Sequence, residues 1–402
     1  MLNKNNEREL AYLVIVDNIT EMDADRLECA HIGGWHCVVS KGEFKPGDLA
    51  VYIESDSKVP DEEPFSSMEF LRSKDFKIKP QKIRGEISHG LLVPLSMFTI
   101  DFSNRSVNDE TRFLTKELNI TYYVPEDNRR KAKAIDKYKS MAGRNQRLAK
   151  TRLWKFLYKR SWGKNLLFML FGKKKDKKKS WPSWVVKTDE ERCQNMPWLF
   201  TDKGWKDRKW IATEKIDGTS TTFTMKGFGR KRQFYICSRN VVFDTPDKTC
   251  YYDTNVYTEM AEKYNIKEVL SRTLDSLKET DSRIEFVTIQ GETYGEGIQK
   301  RDYSLKEHKF MVFNIIYGYK DGTTCRLNPI KGAEAAKNAG LDFVPIIQED
   351  FTLPDTCEEL LEIATGNSAV DGKMREGIVF RTYDGERSFK AVSDEYLVKF
   401  HG

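Results

Sequence analysis

Short runs of apolar residues, separated by turn signals, dominate the first hundred positions of the chain. The runs occupy positions 10–16, 37–40, 49–54 and 91–95. Gly33-Gly34 and Pro46-Gly47 are typical of the tight turns between them. Short β-rich runs with such turns indicate a small antiparallel barrel. We therefore expect a β-barrel module at residues 1–105.

The pattern changes after Trp181-Pro182, where runs of strand type alternate with stretches of helical periodicity. Strands are predicted at 209–213, 221–225, 233–238, 286–293, 310–317, 377–382 and 388–392, and helices at 256–265, 266–277 and 330–339. Strands in mixed order with interspersed helices favour antiparallel sheets over a strict βαβ winding. The sequence thus predicts an α+β domain at residues 181–402.

The intervening residues 106–180 have a helical and strongly basic pattern. Positions 129–180 hold 20 Lys or Arg and two Asp, a charge of +18, whereas the whole chain carries +6. A basic block of this density favours contact with phosphates. A solvated linker is the equally ordinary alternative. The apolar run 166–171 is too short to span a bilayer, so docking on a neighbouring domain is favoured over membrane insertion.

Composition is that of a globular protein with large cores, since 39% of its 402 residues are hydrophobic. The sequence shows neither a bilayer-spanning run nor a signal peptide, which predicts a cytoplasmic protein without membrane contact. The seven cysteines are scattered and never spaced Cys-x-x-Cys. They are expected to be reduced thiols, neither disulfides nor zinc ligands.

Candidate chemistry begins at Lys215, in the segment Glu214-Lys215-Ile216-Asp217-Gly218-Thr219. A lysine amine is normally protonated, so a nucleophilic lysine requires a site that depresses its pKa by burial or a nearby cation. Asp217 can serve a ribose or a metal-bound water. Taken alone, these residues fit a surface pair at a turn equally well.

Further clusters follow in order. Ser238-Arg239-Asn240 offers donors suited to ribose and phosphate oxygens, and Glu292 stands at a predicted strand end where it can accept hydrogen bonds from a ribose. Phe310 and Phe313 lie on an apolar strand, and one of them can stack on a purine. Each cluster alone also fits a polar turn or an ordinary core residue.

The last two clusters indicate which type of reaction the site performs. Glu376-Gly377 places a carboxylate before a β-rich run, and Lys390 follows fourteen residues after Glu376. Carboxylates with few other ligands suit Mg²⁺, which keeps several waters and is held partly by substrate phosphates. Lys390 can stabilise charge on an α-phosphate as pyrophosphate leaves. Together the clusters describe adenylyl transfer.

These ordered motifs resemble those of covalent nucleotidyltransferases, the superfamily of ATP-dependent ligases and mRNA capping enzymes. With Lys187-Thr188-Asp189-Glu190-Glu191-Arg192 and Gln194-Asn195 before the lysine, the chain more closely resembles the Deinococcus-type nick-sealing RNA ligases. The resemblance covers nearly the whole chain. It implies an ATP-grasp-like catalytic domain of antiparallel sheets and helices, an N-terminal OB-like barrel, ATP with Mg²⁺ or Mn²⁺, and an RNA or nicked duplex as substrate.

The resemblance also implies a role for each motif. Lys215 is the adenylated nucleophile, and Asp217 and Glu376 hold a metal through water. The nucleotide is bound by Glu214, Arg239, Glu292, Phe313, Lys390 and Lys399: Arg239 and Glu292 hold the ribose, Phe313 stacks on adenine and Lys390 contacts the α-phosphate. Asn240 is the expected contact to nucleic acid. Lys82 and Arg84, also expected to contact nucleic acid, come from the segment 77–85, whose basic residues alternate with apolar ones. That pattern fits a face for a polyanion and a solvated edge strand equally well.

Two positions depart from the family pattern. Val392 stands where relatives often have a second lysine, so that role falls to Lys399 or is vacant, and Asn314 stands where relatives often have Asp. DNA ligases and capping enzymes normally place an OB domain after the last lysine motif, and the twelve residues after Lys390 leave no room for one. The remaining alternative is a non-catalytic RNA-binding protein on the same scaffold. We expect an active monomeric ligase.

Overall fold

The computed structural model describes residues 1–5, 7–123, 151–160, 181–187, 189–239, 241–243, 255–301 and 303–402, with positions 148, 162–163, 166–167 and 170. The chain forms two units. The larger comprises residues 1–123 and 181–402, and the smaller comprises 124–180. Among the described residues, no helix is long and apolar enough to cross a membrane.

The N-terminal part of the larger unit is built of short antiparallel strands and one short helix. They are β1 Ala11–Ile15, β2 Asn18–Glu21, β3 Leu27–Ile32, β4 Trp35–Ser40, β5 Leu49–Ile53, β6 Ser57–Lys58, α1 Glu69–Arg72, β7 Lys77–Ile78, β8 Gln81–Ile83, β9 Glu86–Ser88, β10 Leu91–Pro94 and β11 Thr121–Tyr122. The sheets have the orders β1-β5-β10, β2-β3-β4 and β11-β6-β7, with a β8-β9 hairpin. The four predicted strands are present.

Strand β5 lies between two apolar clusters because its side chains alternate in direction. Val51 and Ile53 pack into one cluster, and Ala50 and Tyr52 into the other. Leu114, Leu118 and Ile120 also belong to the first cluster. Residues as far as β11 therefore contribute to the packing of this N-terminal module.

A four-stranded antiparallel sheet forms one half of the C-terminal part. Its strands are β12 Trp210–Lys215, β20 Ile346–Phe351, β21 Gly377–Thr382 and β22 Ser388–Val392, in the order β20-β12-β21-β22. Helices α3 Trp198–Thr201, α4 Lys203–Lys206 and α8 Cys357–Ala364 accompany it. Trp210, Phe380 and Phe389 fill its core, where the Phe380 and Phe389 rings stack 4.9 Å apart.

A seven-stranded sheet forms the other half. Its strands are β13 Thr219–Lys226, β14 Gln233–Cys237, β15 Val242–Phe243, β16 Ile284–Gly295, β17 His308–Tyr319, β18 Thr324–Arg326 and β19 Asp342–Phe343. The order is β15-β14-β13-β16-β17-β18, and β19 joins β17 as a parallel neighbour. The helices are α5 Val256–Lys263, α6 Ile266–Thr280 and α7 Pro329–Asn338. Helix α6 buries Ile266, Val269, Leu270 and Leu274, the i, i+3, i+4, i+8 face of an amphipathic helix.

The smaller unit contains helix α2, Arg152–Tyr158, within the predicted basic helical segment. The Thr151 hydroxyl caps it by accepting a hydrogen bond from the Trp154 N–H, and the Trp154 side chain is buried. Leu153 and Phe156 are exposed. The lysine-rich run at 173–179 lies outside the described residues, so its predicted phosphate contact stays a prediction.

Five cysteines in the described ranges are free thiols: Cys29, Cys37, Cys193, Cys325 and Cys357. The Sγ atoms of Cys193 and Cys357 are 3.8 Å apart in the core of the four-stranded sheet. Cys250 lies outside those ranges.

Candidate active site

A cleft of about 350 Å³ is lined by residues from both C-terminal sheets. The predicted residues that line it are Glu214, Lys215, Asp217, Arg239, Glu292, Phe313, Glu376 and Lys390. The structure thus brings together side chains that are up to 176 positions apart in the chain, from Glu214 to Lys390. Four strands and the loop after β12 supply most of them.

Strand pairing explains how one face of the four-stranded sheet gathers its side chains. Thr213, Val379 and Lys390 are directly opposite one another on β12, β21 and β22, so their side chains stand on the same face. Lys215, two residues after Thr213, lies on that face as well and pairs with Gly377. Glu376, immediately before Gly377, is thereby placed beside Lys215.

The Lys215 amine donates a hydrogen bond to Glu376 Oε2 at 2.7 Å. Burial lowers the pKa of this amine, but the carboxylates of Glu376 and Glu292 and, more weakly, Asp217 outweigh burial and raise it above its ordinary value. The expectation of a depressed pKa is therefore wrong for the protein by itself. Acidic neighbours, which the sequence could not place around the amine, are the physical reason.

Asp217 is held by two tyrosines. Its backbone N–H donates to the Tyr303 hydroxyl, and the Tyr396 hydroxyl donates to its Oδ2, both at 2.7 Å. Burial and the charge of Glu376 raise the pKa of Asp217 to about 6, although the Tyr396 hydrogen bond works in the opposite direction. The next residue must be Gly218, because a Cβ there would stand 2.3 Å from the Thr293 carbonyl oxygen.

Glu292 enters the cleft from β16, opposite Ser220 on β13. Burial, together with the negative charges of Glu376 and Asp217, raises its pKa to about 8, while Lys215 acts to lower it. This carboxyl group therefore binds a proton near neutral pH. A protonated carboxylic acid donates as well as accepts hydrogen bonds, which suits a hydroxyl ligand.

Lys390 makes an ion pair with Asp189, whose Oδ1 lies 2.8 Å from the amine. Burial, assisted by Arg8, Arg192 and Lys215, lowers the pKa of Lys390 to about 8, against the opposing effect of Asp189. Burial alone would raise the pKa of Asp189, but Lys390, Arg8 and Arg239 hold it well below its usual range. Arg239 contacts the same carboxylate.

Phe313 reaches the cleft because of a β-bulge. Gln290 pairs with Asn314 and Gly291 pairs with Val312, so Phe313 is the additional residue on β17. A bulge turns the side chain of its extra residue away from the regular alternation. Phe310, the other aromatic candidate, is fully buried and packs against Phe223 with ring centroids 5.2 Å apart.

The donor set fits a hydrated divalent cation better than a metal held by the protein alone. Among the described residues, no group of three or more His, Cys, Asp or Glu side chains is arranged to hold a metal ion. Asp217 and Glu376 are both buried and both line the cleft. Two carboxylates suit Mg²⁺ or Mn²⁺ that keeps its other positions for water and phosphate oxygens.

Three predicted residues are not among those that line this cleft, and a fourth cannot be placed. Lys399 is exposed, with its amine 5.3 Å from the centroid of the Phe400 ring. Lys82 is exposed on β8, and Arg84 lies in the β8-β9 turn with a φ of 51°. Asn240 lies outside the described residues. The roles predicted for all four stay predictions.

Several cleft residues were not assigned from the sequence as site residues: Asp189, Glu190, Gln299, Arg381 and His401. Arg381 donates to Glu190 Oε1 at 2.6 Å and is almost fully buried. Its position in an otherwise apolar predicted strand was an available signal. Asp189 and Glu190 lie in the acidic segment before Lys215, whereas nothing in the sequence singles out His401.

Family models match two parts of the chain. Residues 208–392 match the model described as RNA ligase, and residues 11–95 match a model described as an OB-fold domain. The first range contains Lys215, Glu292, Glu376 and Lys390. The comparison with curated proteins gives no match.

Solved RNA ligase structures resemble the whole chain. The Naegleria gruberi RNA ligase with PPi has a TM-score of 0.72 and 28% sequence identity, over 98% of this chain and 99% of that one. A variant of that ligase with AMP and Mn has a TM-score of 0.70 and 28% identity, over 98% and 99% of the two chains. A variant with ATP and Mn has a TM-score of 0.70 and 27% identity, over 98% of each.

The fold, the cleft and these matches define an RNA ligase domain preceded by an OB-fold domain. The predicted α+β fold with an N-terminal OB-like module is therefore confirmed. The RNA ligase match over residues 208–392 and the likeness of the chain to solved RNA ligases support an ATP-dependent RNA ligase, as the resemblance of its motifs predicted.

Proposed function

We propose that the protein uses ATP to join a 3′-hydroxyl to a 5′-phosphate in RNA, at nicks in duplexes. The Lys215 amine attacks the α-phosphate of ATP, a phosphorus–nitrogen bond forms, and pyrophosphate leaves. The AMP then passes from Lys215 to the 5′-phosphate of the nick. The 3′-hydroxyl attacks that phosphate, the strand is closed, and AMP is released. The observation that carries this proposal is the Lys215 amine in a cleft with Glu376 and Lys390.

The proton of Lys215 must leave before its nitrogen can attack. Glu376 Oε2, which already accepts a hydrogen bond from the amine at 2.7 Å, is placed to take it. When bound, Mg²⁺ or Mn²⁺ would be held by Asp217 and Glu376 through water and would offset charge on the phosphates. Positive charge near the amine also favours its neutral form, opposing the acidic neighbours that raise its pKa.

Lys390 supplies positive charge for the α-phosphate, and adenosine is held by the other cleft residues. Phe313, directed into the cleft by its bulge, would stack on adenine. Arg239 and Glu292 offer a donor and a carboxyl group for the ribose, and Glu214 lines the same cleft. Lys399 is exposed and does not line the cleft, so its proposed role in binding the nucleotide is supported by the sequence alone.

RNA would be bound by the OB-fold domain together with the basic segment. Such barrels track nucleic acid with a positively charged groove and stacking aromatic side chains. Lys82 and Arg84 supply two exposed cations on the β8-β9 hairpin. Asn240 is proposed to serve the steps on RNA. We also propose a monomeric protein acting in the cytoplasm.

The first experiment tests the covalent step. The protein is incubated with magnesium and ATP labelled on the α-phosphate, after removal of any bound AMP, and acid-labile label on the denatured protein is counted. Wild type is expected to be labelled and Lys215→Ala unlabelled. Lys226→Ala is the matched control and should be labelled like wild type. Lys226 lies on β13 of the seven-stranded sheet, where it forms an ion pair with Glu285.

Absence of label in wild type, with magnesium and with manganese, would favour the alternative of a non-catalytic RNA-binding protein.

The preference for nicks is tested in a separate sealing experiment. A nicked RNA duplex and the same two strands without the complementary strand are compared at equal concentration. Faster sealing of the nick is expected, and equal rates would reject the duplex preference without affecting the covalent step.

A further inference from the structure

The carboxylate of Asp189 contacts three cations that come from distant parts of the chain. Its Oδ1 accepts a hydrogen bond from the Lys390 amine at 2.8 Å. Its Oδ2 accepts one from Arg8 Nε at 3.0 Å and another from Arg239. Arg8 precedes β1 in the OB-fold domain, whereas Lys390 lies on β22 of the ligase domain. A single carboxylate therefore joins the N-terminal domain to the wall of the cleft.

Arg8 is itself fixed by a second carboxylate. Its Nη1 donates to Glu54 Oε2 at 3.1 Å, and Glu54 also accepts a hydrogen bond from the Tyr12 hydroxyl at 3.1 Å. The side chains of Arg8, Glu54 and Asp189 are 7%, 6% and 11% exposed. Buried charges stay in place only when each keeps its partner, because an unpaired buried charge is strongly unfavourable.

We propose that Arg8 and Asp189 are positioning residues for adenylyl transfer: Arg8 fixes the Asp189 carboxylate, and Asp189 fixes the Lys390 amine and the Arg239 guanidinium at the cleft. This inference rests on the proposed function. A lysine amine on a flexible four-carbon stem gains reactivity towards a phosphate from being held in one place. The OB-fold domain thus contributes to the nucleotide step as well as to RNA binding.

Removing the negative charge of Asp189 should affect nucleotide binding and the transfer rate differently. Asp189 lines the cleft, so its negative charge opposes the binding of a polyphosphate there. Its removal leaves Arg8, Arg239 and Lys390 without their shared partner. Binding of ATP or pyrophosphate should then be unchanged or tighter, while the transfer step becomes slower because the amine is no longer held.

The test is single-turnover labelling with α-labelled ATP, combined with measured Kd values for ATP and pyrophosphate. In Asp189→Asn, which keeps the shape and removes the charge, we expect the labelling rate to fall about tenfold to a hundredfold. We expect both Kd values to stay the same or decrease. A residue that only maintained the fold would weaken binding and rate together.

Arg8→Lys is compared with Arg232→Lys to separate positioning from folding. The single ammonium of lysine cannot keep the separate contacts that Arg8 makes to Asp189 and Glu54, so the labelling rate should fall. Arg232 makes two hydrogen bonds to Asp275, and neither residue lines the cleft. Arg232→Lys weakens this ion pair without touching Arg8 or Asp189, so its labelling rate should stay within about threefold of wild type, whatever the loss in Tm.

Each outcome has a defined meaning. Labelling of Asp189→Asn and Arg8→Lys at the wild-type rate would overturn the positioning role and leave the proposed function intact. Equal slowing in Arg8→Lys and Arg232→Lys, with equal losses in Tm, would also overturn it, because the Arg8–Asp189 ion pair would then serve folding alone. A wild-type protein that is not labelled would overturn the proposed function and this role with it.

Discussion

At the scale of the residue, Glu292 shows how burial changes an acid. Its pKa is raised to about 8 by burial and by the nearby charges of Glu376 and Asp217. A carboxyl group with a raised pKa in the folded state binds its proton more tightly there than in the unfolded chain. Its contribution to stability is complete below the ordinary pKa of glutamate and is lost as the pH rises through about 8.

Glu292→Gln should reduce this loss, since an amide does not ionise. Between pH 5 and pH 8.5, with EDTA and without nucleotide, wild type should lose roughly 2 to 3 kcal/mol more unfolding free energy than the variant, at 1.4 kcal/mol per pKa unit with a reduction for partial exposure. Urea unfolding at the two pH values measures this difference. Glu285→Gln, at the other end of β16, is the control. Identical pH dependence in wild type and Glu292→Gln would refute the prediction.

The hydroxyl of Tyr396 donates a hydrogen bond to the buried carboxylate of Asp217. Tyr396→Phe removes the hydrogen bond to the buried Asp217 and should lower the unfolding free energy by about 1 to 2 kcal/mol. Tyr383→Phe removes a similar 2.8 Å bond to Asp350 at the surface and should cost less than about 0.5 kcal/mol. Denaturant unfolding at pH 8 compares them. Equal losses would show that the buried hydrogen bond stabilises the protein no more than the surface one.

The sequence predicts the chemical roles of single residues better than it predicts which residues contact one another. Lys215, Glu292, Glu376 and Lys390 were predicted because adenylyl transfer requires their side-chain types in ordered motifs, and the structure places all of them in the cleft. The contact of Asp189 with Arg8 joins residues 181 positions apart. No periodicity or spacing encodes such a pair, since only the packing of the two domains brings it together.

At the scale of the element, amphipathic helices were the most predictable. The three helices predicted in the C-terminal domain are present with ends within three residues of those expected, because their apolar faces repeat with the helical period. Strand β20 was missed. Its central residues Ile347–Asp350 are exposed, so it lacks the alternation that marks a half-buried strand. The bulge at Phe313 was missed because a bulge depends on the partner strand.

Pairing of β21 with its neighbours predicts a large effect at Gly377. A Cβ at this position would stand 2.2 Å from the Ala391 carbonyl oxygen on β22. Gly377→Ala should therefore move β21, displace Glu376 from Lys215 and destabilise the protein by about 1 to 3 kcal/mol. Labelling with α-labelled ATP should fall at least tenfold, by analogy with other misplaced catalytic groups.

A glycine in helix α4 provides the control for that variant. Gly204 lies in an exposed helix that the Asp202 side chain caps by accepting a hydrogen bond from the Gly204 N–H. The atom nearest to a Cβ at Gly204 is the Asp202 Oδ1 at 3.0 Å, which need move by only a few tenths of an ångström. Gly204→Ala should leave labelling unchanged and change stability by less than about 1 kcal/mol. If Gly377→Ala retained both wild-type stability and labelling, the close approach of the two strands would not constrain the site.

At the scale of the whole molecule, charge is divided unevenly along the chain. Positions 129–180 carry +18, so the rest of the chain carries −12 within a total of +6. An acidic remainder repels RNA, so attraction over a distance must come largely from this segment and from local basic patches. The distribution was evident from the sequence, whereas the position of the segment relative to RNA was not.

Replacing the lysines at 173, 174, 175, 177, 178 and 179 by alanine tests this division of charge. RNA affinity should fall at low salt, and the slope of log K against log salt should decrease by about 0.7 to 0.9 for each phosphate that the variant no longer neutralises. The exposed pair Lys331 and Lys337 on α7, replaced by alanine, is the control and should leave the slope nearly unchanged. If the slope is unaltered in the variant that lacks all six lysines, the segment is a solvated linker.

The cleft is assembled from residues between Asp189 and His401. During synthesis, Lys390 and His401 are therefore made after all the other residues that line it. A nascent chain released before Lys390 would lack one wall of the cleft, even with Lys215 and the OB-fold domain already folded. Tight retention of ATP would therefore distinguish chains that contain Lys390 from chains terminated before it.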